Sequence, residues 1–116
     1  MSLIIDCHGH YTTAPKALEQ WRNRQIAGIQ DPSAKPKVSE LQISDDEIRE
    51  TIVQNQLRLM QERGNDLTLF SPRASFMAHH IGDFEVSSTW AAICNELCFR
   101  VSQLFPEHFE IGRAHV

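Results

Sequence analysis

The sequence predicts an α/β fold built on a parallel sheet, a barrel or a doubly wound sheet. Three observations carry this. Apolar runs of strand length, residues 3–10 and Leu67–Pro72, alternate with stretches of helical periodicity, which implies parallel strands and right-handed crossovers. The first run does not alternate cleanly between apolar and polar, as befits a strand covered on both faces. Two parallel strands do not make a stable core alone, so the apolar faces call for further strands.

Taken in order, the first strand ends on IDCHGH. Side-chain alternation puts Ile4, Asp6, His8 and His10 on one face and Leu3, Ile5 and Cys7 on the other. Residues 15–28 read as a helix, with Pro15 in its first turn, Gly28 at its end, and Ala17, Leu18 and Trp21 on its apolar side. IQDPSAKPKV, residues 29–38, is a surface loop rather than a domain linker. Residues 44–64 carry the clearest local signal. Ser44 and Glu47 form an S-x-x-E capping box, Ile48, Ile52, Leu59 and Met60 recur at helical spacing, and Gly64 is a C-cap. LTLFSP is a strand stopped by proline. Residues 73–86 are irregular. Ser88 opens a long helix to Phe105. Its stripe of Trp90, Ile93, Cys94, Leu97, Cys98, Val101, Leu104 and Phe105 is core, and Pro106 ends it.

The chain has 116 residues, 41% of them apolar and 22% charged, with a net charge of −4, which describes one domain of soluble composition. No basic stripe favours nucleic acid. No apolar run is long enough to span a membrane. MSLIID lacks the regions of a signal peptide, so the expected compartment is the cytoplasm. Cys7, Cys94 and Cys98 form no CxxC pair, which argues against a disulfide framework and fits a reducing compartment. Cys94 and Cys98, four apart on a helix, are expected to be buried apolar residues, not a metal pair.

The HGH stretch is the candidate for chemistry. His8 and His10 point the same way at the end of a strand, so both imidazoles reach one ion, and neutral imidazole suits zinc. Asp6, one layer deeper on the same face, would orient one imidazole by accepting its second N–H. Gly9 leaves the opposite face bare for close approach. H-x-H is short and also occurs where no metal binds. The carboxyl end of a parallel strand, where barrels place their chemistry, favours the metal reading.

These residues also carry a family resemblance. IIDCHGH resembles the D-x-H-x-H opening of the amidohydrolase superfamily, metal-dependent barrels whose first strand supplies two zinc-ligating histidines. LTLFSPRASFM, residues 67–77, and STWAAICNELCFRVSQLFPEHF, residues 88–109, resemble the amidohydrolase-related 4-oxalomesaconate hydratases of bacterial protocatechuate and gallate breakdown. The match covers nearly all of residues 3–109, and the loop at 28–38 carries little of it.

The resemblance implies the N-terminal part of a metal-dependent (β/α)8 TIM barrel, truncated before the third strand. It implies that His8 and His10 hold one divalent ion, zinc, and that Arg73, in SPR, faces the substrate. A guanidinium fork suits a small-molecule polycarboxylate. Ser71 would form part of the pocket floor or cap the turn before Pro72. The implied reaction adds water to a carbon–carbon double bond conjugated to carboxylates. Zinc would serve as Lewis acid or as generator of a nucleophile. The remaining ligands, a histidine from a middle strand and an acidic residue from a late one, and the acidic residue that handles a proton would lie beyond these residues.

Tyr11, just past His10, would sit at the barrel mouth and contact substrate. His79 and His80 read as exposed loop histidines. A homo-oligomer of the full-length protein is left open. Two alternatives remain: a decarboxylase or hydrolase of carboxylic acids within the same superfamily, and a non-catalytic fragment whose helices 44–64 and 88–105 dock on a partner.

The tail reads differently. EIGRAHV is what GAG ATC GGA AGA GCA CAC GTC encodes, and after its first base that string resembles a widely used sequencing-library adapter. Residues 1–109 are therefore expected to be the native barrel portion and residues 110–116 a read-through segment. On this reading the chain alone is expected to be inactive and to fold poorly, with an exposed apolar strand edge.

Overall fold

The computed structural model describes residues 2–73 and 80–111. Strand β1 (Ile5–Tyr11) leads to helix α1 (Lys16–Gln30) and two 3-10 turns (Pro32–Ala34 and Val38–Glu40). Helix α2 (Asp45–Ile52), a π-helical turn (Val53–Leu57) and helix α3 (Arg58–Arg63) return the chain to strand β2 (Leu67–Pro72). Helix α4 (Phe84–Leu104) then leads to strand β3 (Phe109–Ile111). The three strands form one parallel sheet in the order β1-β2-β3.

Local chemistry explains most of these boundaries. At the start of α2 the Glu47 N–H donates to Ser44 Oγ at 3.2 Å, and the Ser44 N–H donates to Glu47 Oε2 at 2.8 Å. The Ser44 N–H and the Ser44 hydroxyl, which both donate to Glu47 Oε2, hold the Glu47 carboxyl below the usual carboxylate range. Gly64 closes α3 with φ +73°, a left-handed conformation that glycine adopts without strain. Two elements depart from expectation. The π turn rotates everything after it by roughly one residue's share of a helical turn, about 100°. Leu57 and Met60 therefore pack on the core while Leu59, on the expected stripe, is exposed. Helix α4 starts at Phe84, not Ser88, because Asp83 Oδ1 accepts the Val86 N–H at 3.1 Å and caps it.

The third strand corrects the expectation that the chain stops before it. Phe109, Glu110 and Ile111 pair with Thr68, Leu69 and Phe70. The Thr68 N–H donates to the His108 carbonyl at 2.8 Å. The physical reason is Phe109, which is 1% exposed and packs edge-on against Phe70 and Phe105. Burying that ring brings the backbone alongside the free edge of β2. The strand thus runs past residue 109; residues 112–116 lie outside the described residues.

Two cores result. The larger lies between the sheet and the helices and includes Ile48, Ile52, Phe70, Leu97, Val101 and Phe109. The smaller joins Trp21 to Val86 and Trp90 along α1 and α4. Cys94 and Cys98 are buried as expected; burial pushes their thiols up to about 11 and about 12. One face of the sheet is covered rather than two. Thr68, Phe70 and Pro72 face the helices, while Ile5 and Leu69 stay 49% and 37% exposed on the other side. Among the described residues no helix is long and apolar enough to cross a membrane.

Candidate metal centre

Strand β1 does not keep a regular pleat. Ile5 and Asp6 pair with Leu67 and Thr68, whereas Gly9, His10 and Tyr11 pair with Phe70, Ser71 and Pro72. Between Asp6 and Gly9 the first strand therefore uses one residue more than its partner, a β-bulge at Cys7 and His8. Paired residues share a face of the sheet. Asp6, Gly9 and Tyr11 lie with buried Thr68, Phe70 and Pro72, and His10 lies with Ser71 on the open side.

This overturns the face that strict alternation gives Asp6 and the open position expected of Tyr11 just past His10. Asp6 does not share a face with His10, and among the described residues it accepts from no imidazole N–H: its Oδ1 accepts the backbone N–H of His8 at 3.1 Å. Tyr11 does not stand open at the strand end. It is buried against Phe70, with its hydroxyl on Thr51 Oγ1, and desolvation pushes its phenol up to about 12.

The two histidines do converge. Their Nε2 atoms are 2.8 Å apart, with ring centroids at 4.4 Å and planes at 89°. Two acceptors set the tautomer of His10. Its Nδ1 is 3.1 Å from the Pro72 carbonyl oxygen and 3.2 Å from Ser71 Oγ, whose own hydroxyl donates to the Gly9 carbonyl at 3.1 Å. The His10 proton therefore sits on Nδ1, and its Nε2 lone pair accepts from His8 Nε2–H. In the other His8 tautomer, with its proton on Nδ1, the two Nε2 lone pairs face one another.

Zinc–nitrogen bonds of about 2.0–2.1 Å at tetrahedral angles set two ligand nitrogens about 3.3 Å apart, about half an ångström wider than the 2.8 Å between these two. The donor chemistry fits. Among the described residues no group of three or more His, Cys, Asp or Glu converges on one point.

The other predicted residues sort by place. Ser71 supports the His10 ring directly. Arg73 is exposed just past β2, at the same strand end, and borders a recess with Tyr11, Ala14 and Leu18. His80 is exposed in a turn, and His79 lies outside the described residues. Gly9 is bare for a reason other than helix approach: a Cβ there would lie 2.3 Å from Thr68 Cγ2 on the neighbouring strand.

Sequence reasoning missed two supports. One is the Pro72 carbonyl. The other is Gln56 on the π turn, which accepts from Thr13 Oγ1 at 2.9 Å and donates to Thr12 Oγ1 at 3.1 Å, tying down the chain that leaves His10. π turns recur at functional sites, but nothing in VQNQL marks one.

The profile of the amidohydrolase family matches residues 5–114. A 2-keto-4-carboxy-3-hexenedioate hydratase from Sphingobium sp. is 58% identical over 109 residues, which are 94% of this chain and 31% of that protein. The crystal structure of 4-oxalomesaconate hydratase from Rhodopseudomonas palustris matches with a TM-score of 0.90 at 72% identity, over 97% of this chain and 33% of that one. The chain thus spans about a third of the length of the relatives it matches.

Proposed function

The chain belongs to the amidohydrolase family, its three parallel strands being the first part of that family's (β/α)8 barrel, and from this we propose that it is the opening portion of a zinc-dependent hydratase acting on 4-oxalomesaconate or a closely related unsaturated polycarboxylate. The observation that carries the reading is the convergence of His8 and His10 at the carboxyl end of β1, with the second nitrogen of His10 held by Pro72 and Ser71. The names of the two hydratases supply the substrate class.

On this reading His8 and His10 hold the metal through Nε2. Bound there, zinc supplies Lewis-acid polarisation of an oxygen at the reacting centre. Ser71 and the Pro72 carbonyl keep His10 in the tautomer that presents its lone pair. Arg73, at the end of the adjacent strand, offers a guanidinium fork to a substrate carboxylate. The proton-transferring acid belongs to the two thirds of the relatives that this chain does not span.

A graft tests the proposal. Residues 3–109 of this chain replace the matching third of the Rhodopseudomonas palustris enzyme, and hydration of 4-oxalomesaconate is followed by loss of its ultraviolet absorbance. Activity is expected, and His8→Ala or His10→Ala is expected to lower it by about 100-fold or more. A folded, zinc-loaded graft without hydratase activity, or histidine variants with full activity, would refute the reading.

A further inference from the structure

Asp6 has a role that neither the metal pair nor the core accounts for. Its pairing with Thr68 puts it on the helix-facing side of β1, away from His10. Its carboxylate nevertheless reaches along the strand to the His8 N–H at 3.1 Å. A bulge leaves a backbone donor without a ladder partner, and an aspartate two residues upstream satisfies it in an Asx-type turn.

The two histidines are held unequally. His10 is fixed from β2 by Pro72 and Ser71. Among the described residues the His8 ring hydrogen-bonds to His10 alone and has no support from β2 like that of His10, so its direction depends on the backbone at the bulge. On a regular strand the two Cα atoms would stand about 6.6 Å apart with parallel side chains. Here the rings meet at right angles with 2.8 Å between nitrogens.

We propose that Asp6 is a positioning residue: its side-chain oxygen clamps the bulge by holding the His8 amide, and so aims the His8 imidazole at the point where His10 already looks. The clamp needs an acceptor at Oδ1 and no negative charge. It rests on the reading of His8 and His10 as metal ligands, but the clamp itself is testable without metal.

The test uses the 116-residue chain as wild type, Asp6→Asn and Asp6→Ala. Without metal, NMR reads the exchange rate of the His8 amide and the ring-to-ring NOE between His8 and His10. Calorimetry then reads the affinity for Zn2+. The amide is expected to be protected about tenfold or more, with the NOE present, in wild type and in Asp6→Asn, and both signals are expected to vanish in Asp6→Ala. Zn2+ affinity is expected to stay within about twofold for Asp6→Asn and to fall about 10–100-fold for Asp6→Ala, the usual range for a residue that orients a ligand.

An unprotected His8 amide in wild type overturns the clamp. So does Asp6→Ala with wild-type affinity, or Asp6→Asn losing as much as Asp6→Ala, which would mean that charge is what matters. If Asp6→Ala does not fold, the isosteric Asp6→Asn decides: retained protection and NOE support the clamp, and loss of either overturns it. If wild type takes up no Zn2+ while protection and NOE follow the acceptor series, the clamp stands, and the zinc content of the graft decides the metal reading.

Discussion

Gly9→Ala perturbs the sheet at the one point where two strands meet beside the candidate metal pair. A Cβ at Gly9 would lie 2.3 Å from Thr68 Cγ2, with the Leu69 carbonyl at 3.6 Å and Phe70 Cδ1 at 3.8 Å. Carbon atoms pack at about 3.5–4.0 Å, so the methyl overlaps by more than an ångström. Thr68 is 5% exposed and β-branched, which makes its χ1 stiff. The strands must part or Thr68 must leave its well.

Overpacking of this kind costs about 1–3 kcal/mol, roughly a fivefold to hundredfold rise in local opening. Thr68→Ser removes the colliding methyl. Alone it costs about 1 kcal/mol, and combined with Gly9→Ala it is expected to recover about 1–2 kcal/mol, a coupling of neighbouring sites. Native-state amide exchange of β2 reads these energies locally, whether or not the whole chain melts in one transition. Unchanged exchange in Gly9→Ala, or a double variant that simply adds the two losses, would refute the argument that Thr68 is what keeps this position glycine.

Phe109→Ala removes the ring that draws β3 onto the sheet and is expected to cost about 3–5 kcal/mol. Protection of the Thr68 amide, which donates to the His108 carbonyl, should fall to that of an exposed amide, and unchanged protection would refute this. Cys7 is exposed and should react with a thiol reagent in the native chain, while buried Cys94 and Cys98 should react only after denaturation; equal rates for all three would refute the burial. Burial also raises these thiols from 9.0 to about 11 and about 12, and the Tyr11 phenol from 10.0 to about 12. Above pH 9 the unfolded chain sheds protons that the folded chain keeps, so stability should fall from pH 9 towards 12 and show no such loss below; a rise in urea midpoint over that window would refute it. Ile5 and Leu69 stand exposed on the open face of the sheet beside Leu3 and Ile4. Thermal unfolding of the purified chain should therefore be broad. A sharp calorimetric transition with the roughly 0.7 kcal/mol per residue of a complete domain would refute that.

Much of the fold was legible because its causes are local. The Ser44–Glu47 box, the glycine that ends α3, the bounds of β2 and the buried stripe of α4 each depend on residues within a turn or two of one another. The proximity of His8 and His10 is of the same kind, since residues two apart on a strand are neighbours in any fold. Where a competing local signal was weak, boundaries moved. Asp83 takes the cap of α4 from Ser88, and the π turn swaps Leu59 for Leu57 on the core.

The faces of β1 were a different matter. Periodicity within IDCHGHY assigns Asp6, His8 and His10 to one side, and it has no means of registering an inserted residue. The bulge exists only relative to β2, whose Thr68 and Phe70 are two apart where Asp6 and Gly9 are three apart. That single offset sends Asp6 to the His8 amide, buries Tyr11 and sets His10 beside Ser71 and the Pro72 carbonyl. The amino-acid sequence thus settles which residues are equipped for the chemistry, because donor type and spacing are properties of the chain. Which of them meet is settled by pairing between segments about sixty residues apart, because side-chain direction on a strand follows the register of its neighbour.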